Sequence, residues 1–316
     1  MHDHARQAAR ETGDRTAEAT ALTSLGLVDM QQGCYPAAAG KFRQALTLFR
    51  ETRDRNGEAR ALHSLAMTDF RQGSYQQAVE EYRQALTLFR ETGSQRGEAR
   101  ALGNLGVLLG RLGRRQEAMD HYQLSLALQR EIGDQSGEII TLLRLGNIDL
   151  QSGRHPEATD RVQRALTLSR EGGEVESEAE ALTLLGEVEL AQGQYQRADE
   201  YQRQALAMFR ETRDVAGEVH ALTGLGAAVL AAGQPGDAVT HYSAAADLAA
   251  QIGDKSMSAR AHDGLGHAHH ADGNPGQGRY HWHVALTLYT DLGVPEAEQV
   301  RALLGGVLGA SGRVRA

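Results

Sequence analysis

The ten residues RQALTLFRET occupy Arg43–Thr52 and return at Arg83–Thr92, and RQALAMFRET stands at Arg203–Thr212. The second copy starts 40 residues after the first, and the third starts 160 residues after it. A phrase respelled at a fixed distance and at four times that distance constrains the fold more than composition does. It implies repeated units that stack on their neighbours, with no single central core. Stepping by 40 places Leu25, Leu65, Leu105, Leu145, Leu185, Leu225 and Leu265 in register. A second column holds Gly26, Ala66, Gly106, Gly146, Gly186, Gly226 and Gly266, and a third runs from Gly33 to Gly273. A fourth begins at Ala38 and ends at Gly278.

Within a unit the apolar residues recur three or four apart, which marks one face of a helix. Ala61, Leu62, Leu65, Ala66 and Asp69 form one such face; Tyr75, Ala78, Tyr82, Ala85, Leu86 and Phe89 form the next. Gly73 between them has the residue type that ends a helix in a left-handed conformation. Pro36, Pro156, Pro235 and Pro275 sit where the second helix begins, a place that tolerates a missing N–H. Asp14, Asp54, Asp134, Asp214 and Asp254 precede the next first helix and can cap its free N–H groups. Each unit therefore reads as a helical hairpin, and the small residues of the second column let its two helices approach closely.

The stretch ALGNLGVLLGRLGRRQEAMDHYQLSLAL, Ala101–Leu128, resembles a tetratricopeptide repeat in its 40-residue form, with Leu102, Leu105, Gly106, Ala118, Tyr122 and Ser125 at the packing positions. The early large aromatic of that family is here Leu22, Leu62, Leu102, Leu142, Leu182 and Leu222. The resemblance spans essentially the whole chain and implies an all-α, right-handed superhelical solenoid. A narrower resemblance lies in HWHVALTLYTDLGVPEAEQVRALL, His281–Leu304, which is similar to the closing repeats of large actinobacterial regulators of the antibiotic regulatory protein and signalling-ATPase type. It implies a repeat domain of a transcription regulator of antibiotic biosynthesis. The expected organisation is one solenoid: a partial second helix over 1–12, seven full repeats over 15–294 and a capping helix over 295–310. Ala5, Ala8 and Ala9 would leave part of an apolar stripe uncovered at the N-terminal end, a route to weak homo-oligomers.

Net charge is −8 and no segment is a block of Lys and Arg, which argues against direct nucleic-acid binding. The lone Cys34 permits no intramolecular disulfide. With no apolar leader and no run of about 18 apolar residues, neither a signal peptide nor a membrane span is expected, and the chain reads as cytoplasmic.

Little in the chain suggests catalysis. His262, His267, His269, His270, His281 and His283 crowd one unit, and His267 and His270 with Asp263 could hold a metal on one helix face. No HExxH is present, and a polar end of the array explains the histidines more simply. GLGHAHHADGNPGQG lacks the Lys and Ser/Thr of a phosphate loop, and its glycines fall on the repeat columns. Cys34 has no histidine base placed beside it by the pattern. No enzyme activity, metal or other cofactor is expected.

What remains is a surface. In the family resembled, first helices line the inside of the superhelix, and the stripe offset from the core is rich in apolar residues. The candidate protein-binding groove comprises Met30, Arg60, His63, Met67, Phe70, Arg100, Asn104, Arg111, Arg144, Asn147, Leu150 and Glu187. Met and Phe would seat one face of a partner helix while arginines meet acidic groups at its rim. The expected partner is a protein or peptide segment, including other domains of a parent regulator. A receptor for a short peptide or small-molecule signal is the alternative. Packing of the same side chains between neighbouring first helices is the competing structural explanation.

Overall fold

The computed structural model describes residues 7–9 and 11–311, with side chains to residue 305. Ala5 and the tail after Ser311 lie outside the described residues. Everything regular among the described residues is helix. From Arg15 onward the helices are α1 (Arg15–Gln31), α2 (Tyr35–Thr52), α3 (Arg55–Arg71), α4 (Tyr75–Glu91), α5 (Gln95–Arg111), α6 (Arg115–Glu131), α7 (Gln135–Gln151) and α8 (His155–Gly172). They continue as α9 (Val175–Ala191), α10 (Tyr195–Thr212), α11 (Val215–Ala231), α12 (Pro235–Gln251), α13 (Lys255–Ala271), α14 (Pro275–Leu292) and α15 (Glu296–Ser311). Odd numbers are first helices of hairpins and even numbers are second helices. The chain forms two compact units, Met1–Ile148 and Asp149–Ala316.

Local chemistry sets the boundaries. Asp14, Asp54, Asp134 and Asp214 accept hydrogen bonds from the backbone N–H three residues on, and Asp254 accepts from Ser256 and Met257. The four expected prolines occupy the first turns of α2, α8, α12 and α14. Gly73 takes φ 80° in the tight turn between α3 and α4, a conformation that costs a side-chain-bearing residue. At the turn between hairpins most units also place glycine, but Arg53 and Arg213 adopt φ 58° there.

Two small-against-large contacts bring the helices together. Within hairpins, the ring of Phe42 lies where a Cβ on Gly26 would stand, 2.6 Å away; Tyr122 and Gly106, Tyr242 and Gly226, and Trp282 and Gly266 repeat the arrangement. Between hairpins, Phe49 lies over Gly57, Phe89 over Gly97 and Phe209 over Gly217, with a Cβ only 2.2–2.5 Å from the ring. The final aromatic of RQALTLFRET thus packs on the first turn of the next hairpin. Beside it runs an ion-pair joint: Arg50–Glu58 (2.8 Å), Arg90–Glu98 (2.6 Å), Arg130–Glu138 (2.8 Å), Arg170–Glu178 (2.7 Å) and Arg210–Glu218 (2.7 Å). The arginines are about half exposed, so each pair contributes at most about 1 kcal/mol and acts mainly to orient the joint. Within each unit second helices pack against their own first helix and the next one, and α1 and α3, α3 and α5, α9 and α11, and α11 and α13 lie side by side.

The N-terminal alanines differ from expectation: Ala8 is exposed but Ala9 is buried. The backbone N–H of Asp14 bonds the Ala9 carbonyl at 3.0 Å, which closes the preceding turn against α1.

Candidate interaction faces and buried polar centres

In residues 15–148 the first helices present most of the expected groove residues. Arg60, Arg100, Arg111 and Arg144 are exposed, as are Leu27 and Ile140, at 38% and 48%. Met67 is half-buried, and the Asn104 side-chain amide stands 3.7 Å from its sulfur. The same amide lies 3.2 Å from Nε2 of His63 and ties α5 to α3. Asn147 is exposed.

Three residues serve the interior more than the face. His63 is only 7% exposed, with its ring edge-on to Tyr82 (5.4 Å) and Phe89 (6.4 Å). Burial, with Arg100 adding to it, pushes its pKa down to about 4, so the ring is neutral. Met30 packs on the core of Ala38, Ala39, Phe42 and Leu65. Phe70 is half-buried against Tyr75, 5.8 Å between rings, at the turn of its own hairpin. For these three, packing within and between hairpins is what the stripe satisfies, because the neighbouring helix supplies the cover.

In residues 149–316 the face has another character. Leu150 and Glu187 are half-buried. Burial raises the Glu187 pKa, opposed by the charge of Arg260. Exposed Glu180 stands at the repeat position of Arg60 and Arg100.

Sequence reasoning placed Asp69 on the packed face of its helix but missed the other buried polar centres. Asp149 is buried between Arg154 (2.7 Å) and Arg161 (2.5 Å), and Glu189 is paired to Arg197 at 2.8 Å. Asp29 is paired with Lys41 at the same repeat positions. In the second hairpin those positions hold Asp69 and Glu81, both buried. Gln77 donates to Glu81 at 2.9 Å and Arg43 lies 3.8 Å from Asp69. Burial pushes the Glu81 pKa up to about 7, aided by the Asp69 charge. The signal was available as acidic residues in one repeat column, Asp29, Asp69, Asp149 and Glu189, on an otherwise apolar face.

The histidine-rich hairpin α13–α14 forms a stack. His281 lies against His262 (5.2 Å between ring centres) and His269 (5.3 Å), and the Nδ1 atoms of His262 and His281 are 3.0 Å apart. Burial, then the neighbouring imidazoles, lowers the His281 pKa to about 4. His267 and His270 turn instead to the Trp282 ring, with Asp263 3.6 Å from His267. Among the described residues no group of three or more His, Cys, Asp or Glu side chains is placed to hold a metal ion. Cys34 is exposed and free. A cavity of about 740 Å³ opens between the starts of α10 and α12 and the end of α11, lined by Tyr195, Asp199, Arg203, Val229, Asp237 and His241. It lies off the expected stripe. No described helix is long and apolar enough to cross a membrane.

The family model of the tetratricopeptide repeat matches residues 17–91, 57–131 and 137–211, more than half of the chain. The chain belongs to the tetratricopeptide repeat family. The array is similar in fold to the apo form of RapI, with a TM-score of 0.74 at 14% identity over 87% of this chain and 98% of that one. It is similar to the signal transduction ATPase with a tetratricopeptide repeat sensor from Pyrococcus horikoshii, with a TM-score of 0.73 at 17% identity, over 95% of this chain but 46% of that protein. It also resembles the apo quorum sensor NprR from B. thuringiensis, with a TM-score of 0.69 at 14% identity over 90% and 80% of the two chains. No curated protein matches the array.

Proposed function

We propose that the array is a non-catalytic interaction and sensing module that takes a protein segment across its first-helix face, and that it serves a regulator of transcription. The observation that carries this is the face of residues 15–148, where exposed Leu27 and Ile140 and half-buried Met67 lie among arginines. Apolar side chains left uncovered between charged ones are the usual composition of a partner site. The likeness to a repeat sensor within a signalling ATPase, and to a quorum sensor, supports the wider reading. The resemblance of His281–Leu304 to the closing repeats of antibiotic regulators supports the transcriptional one. The test is photo-crosslinking from position 27 on the first-helix face and from exposed Leu124 on a second helix. A defined partner joined at 27 and not at 124 is expected; equal labelling at both would remove the face from consideration.

The cavity beside His241 supports a second reading, a receptor for a small signal, because its volume suits a small ligand. A ligand library that raises the melting temperature of the native chain, and not of an Asp237→Arg variant, would favour it.

A further inference from the structure

We infer that the first-helix face of residues 15–148 docks an amphipathic helix that carries carboxylates about seven residues apart beside its apolar stripe. This rests on the reading of the array as a segment-binding module and adds the chemistry of the segment.

The charge on this face is one-sided for a structural reason. The carboxylates of α1, α3, α5 and α7 within these residues are drawn away from it. Asp29 pairs with Lys41, Asp69 lies near Arg43, and Glu58, Glu98 and Glu138 are held in the joints by Arg50, Arg90 and Arg130. Glu18 is buried. The arginines that remain, Arg60, Arg100 and Arg111, are exposed and make no ion pair among the described residues, while Arg144 reaches the Tyr122 hydroxyl. An overall charge of −8 therefore coexists with a face that offers only positive charge. Residues 149–316 repeat it only in part: Glu180 and His220 stand at the position of Arg60 and Arg100, and Arg260 returns there.

Geometry selects the occupant. Arg60 and Arg100 hold the same repeat position on neighbouring first helices, which places them about 8–10 Å apart. Seven residues of a helix rise about 10 Å. A helix laid across α3 and α5 thus meets both guanidiniums with carboxylates seven apart, and its apolar stripe falls on the neighbouring column of Leu27, Met67 and Val107. Guanidinium is the cation best matched to carboxylate. A nucleic acid would use the arginines but leave the apolar side chains uncovered, which disfavours it.

The test uses the full chain and a labelled helical peptide with a leucine stripe and glutamates seven apart, followed by fluorescence anisotropy. Binding is expected to weaken at least about tenfold when the glutamates become glutamines, and again in the Arg60→Glu/Arg100→Glu variant with unchanged helicity. Added salt should weaken the native complex and not the glutamine one. Equal binding of the glutamine peptide, an unaffected double variant, or displacement by duplex DNA at equal concentration would each overturn the inference. A partner that crosslinks at position 27 yet ignores the charge reversal would sink it while leaving the segment-binding reading in place.

Discussion

Residues 1–148 carry 19 Lys and Arg against 18 Asp and Glu, whereas residues 149–316 carry 14 against 23. The backbone plan is the same in both. Arg–Glu joints recur on either side of the division, and the aromatic-over-glycine contact at Phe49 and Gly57 returns at Phe209 and Gly217. The difference lies in the column of Arg60 and Arg100, which continues as Glu180 and His220 before Arg260 restores it. The period fixes the joints, and each unit sets its own surface chemistry on them.

The sharpest way to probe that division is to empty the same place in each unit. Phe42 and Trp282 occupy one repeat position, both buried over a glycine. Replacing either by alanine should cost about 3–5 kcal/mol. Residue-resolved hydrogen exchange should place the loss of protection around α1–α3 for Phe42→Ala and around α13–α15 for Trp282→Ala. Identical, chain-wide loss in both variants would break the comparison, because stability in such arrays sums over neighbours.

The joint itself can be tested by a double-mutant cycle. Phe49→Ser leaves a void and Gly57→Ser alone crowds the ring, at about 1–3 kcal/mol for the crowding. The chain already uses Ser169 and Ser177 at those positions. The double variant should therefore cost less than the sum of the singles by about 1 kcal/mol or more. Additive effects in urea denaturation would mean that the two residues do not share the space.

Acid should separate the units next. His63 and His281 have folded pKa values lowered to about 4, so their contribution is present above the ordinary histidine value and is lost as pH falls towards 4. Glu81 runs the other way: its pKa is raised to about 7, so its contribution is present at low pH and lost as pH rises through 7. In residues 1–148 these effects oppose each other. In the stack of α13–α14, His262 and His281 act together. On going from neutral pH to about 5, exchange protection should fall in α13–α14 before α3–α4, and His281→Phe should remove the difference. Glu81→Gln should stabilise the protein at pH 8 relative to pH 5; a flat response would contradict the burial of that carboxyl.

The smallest effect concerns the left-handed turns. Arg53 and Arg213 sit at φ 58°, where the equivalent residues 93, 133, 173, 253 and 293 are glycine. Changing either arginine to glycine should stabilise by about 0.5–1 kcal/mol, equally in both units. Thermal melts of the two variants check it.

Much of this was legible in the chain. The helices, the aspartate caps, the prolines and the small column followed from spacing alone, because each depends on residues within one hairpin. The Phe49–Gly57 match was written in the same columns and went unread, since it links the end of one unit to the start of the next. The face was legible only in part. Arg60 and Arg100 emerged as expected, but His63 was covered by Asn104, Tyr82 and Phe89 from elements around it. Asp69 was placed on the packed face by its spacing, but burial of Glu81 and Asp149 was hidden by their residue type, which ordinarily marks surface. The cavity at Tyr195–His241 depends on how three helix ends diverge, which no single-helix pattern encodes.

The joints also bear on how such a chain can lengthen. The aromatic, the glycine and the ion pair that join one hairpin to the next lie between Phe49 and Glu58, and Phe209 to Glu218 carries the same matching parts. A 40-residue cassette duplicated or deleted between two such joints therefore meets complementary ends on both sides, with no remodelling of its neighbours. At Ala249–Ser258 the aromatic, the arginine and the glutamate are all absent, so a cassette ending there finds no mate. In-frame gain or loss of whole hairpins therefore meets matching parts among the Phe49, Phe89 and Phe209 joints, and mismatched ones at Ser169–Ser177 and at Ala249–Ser258.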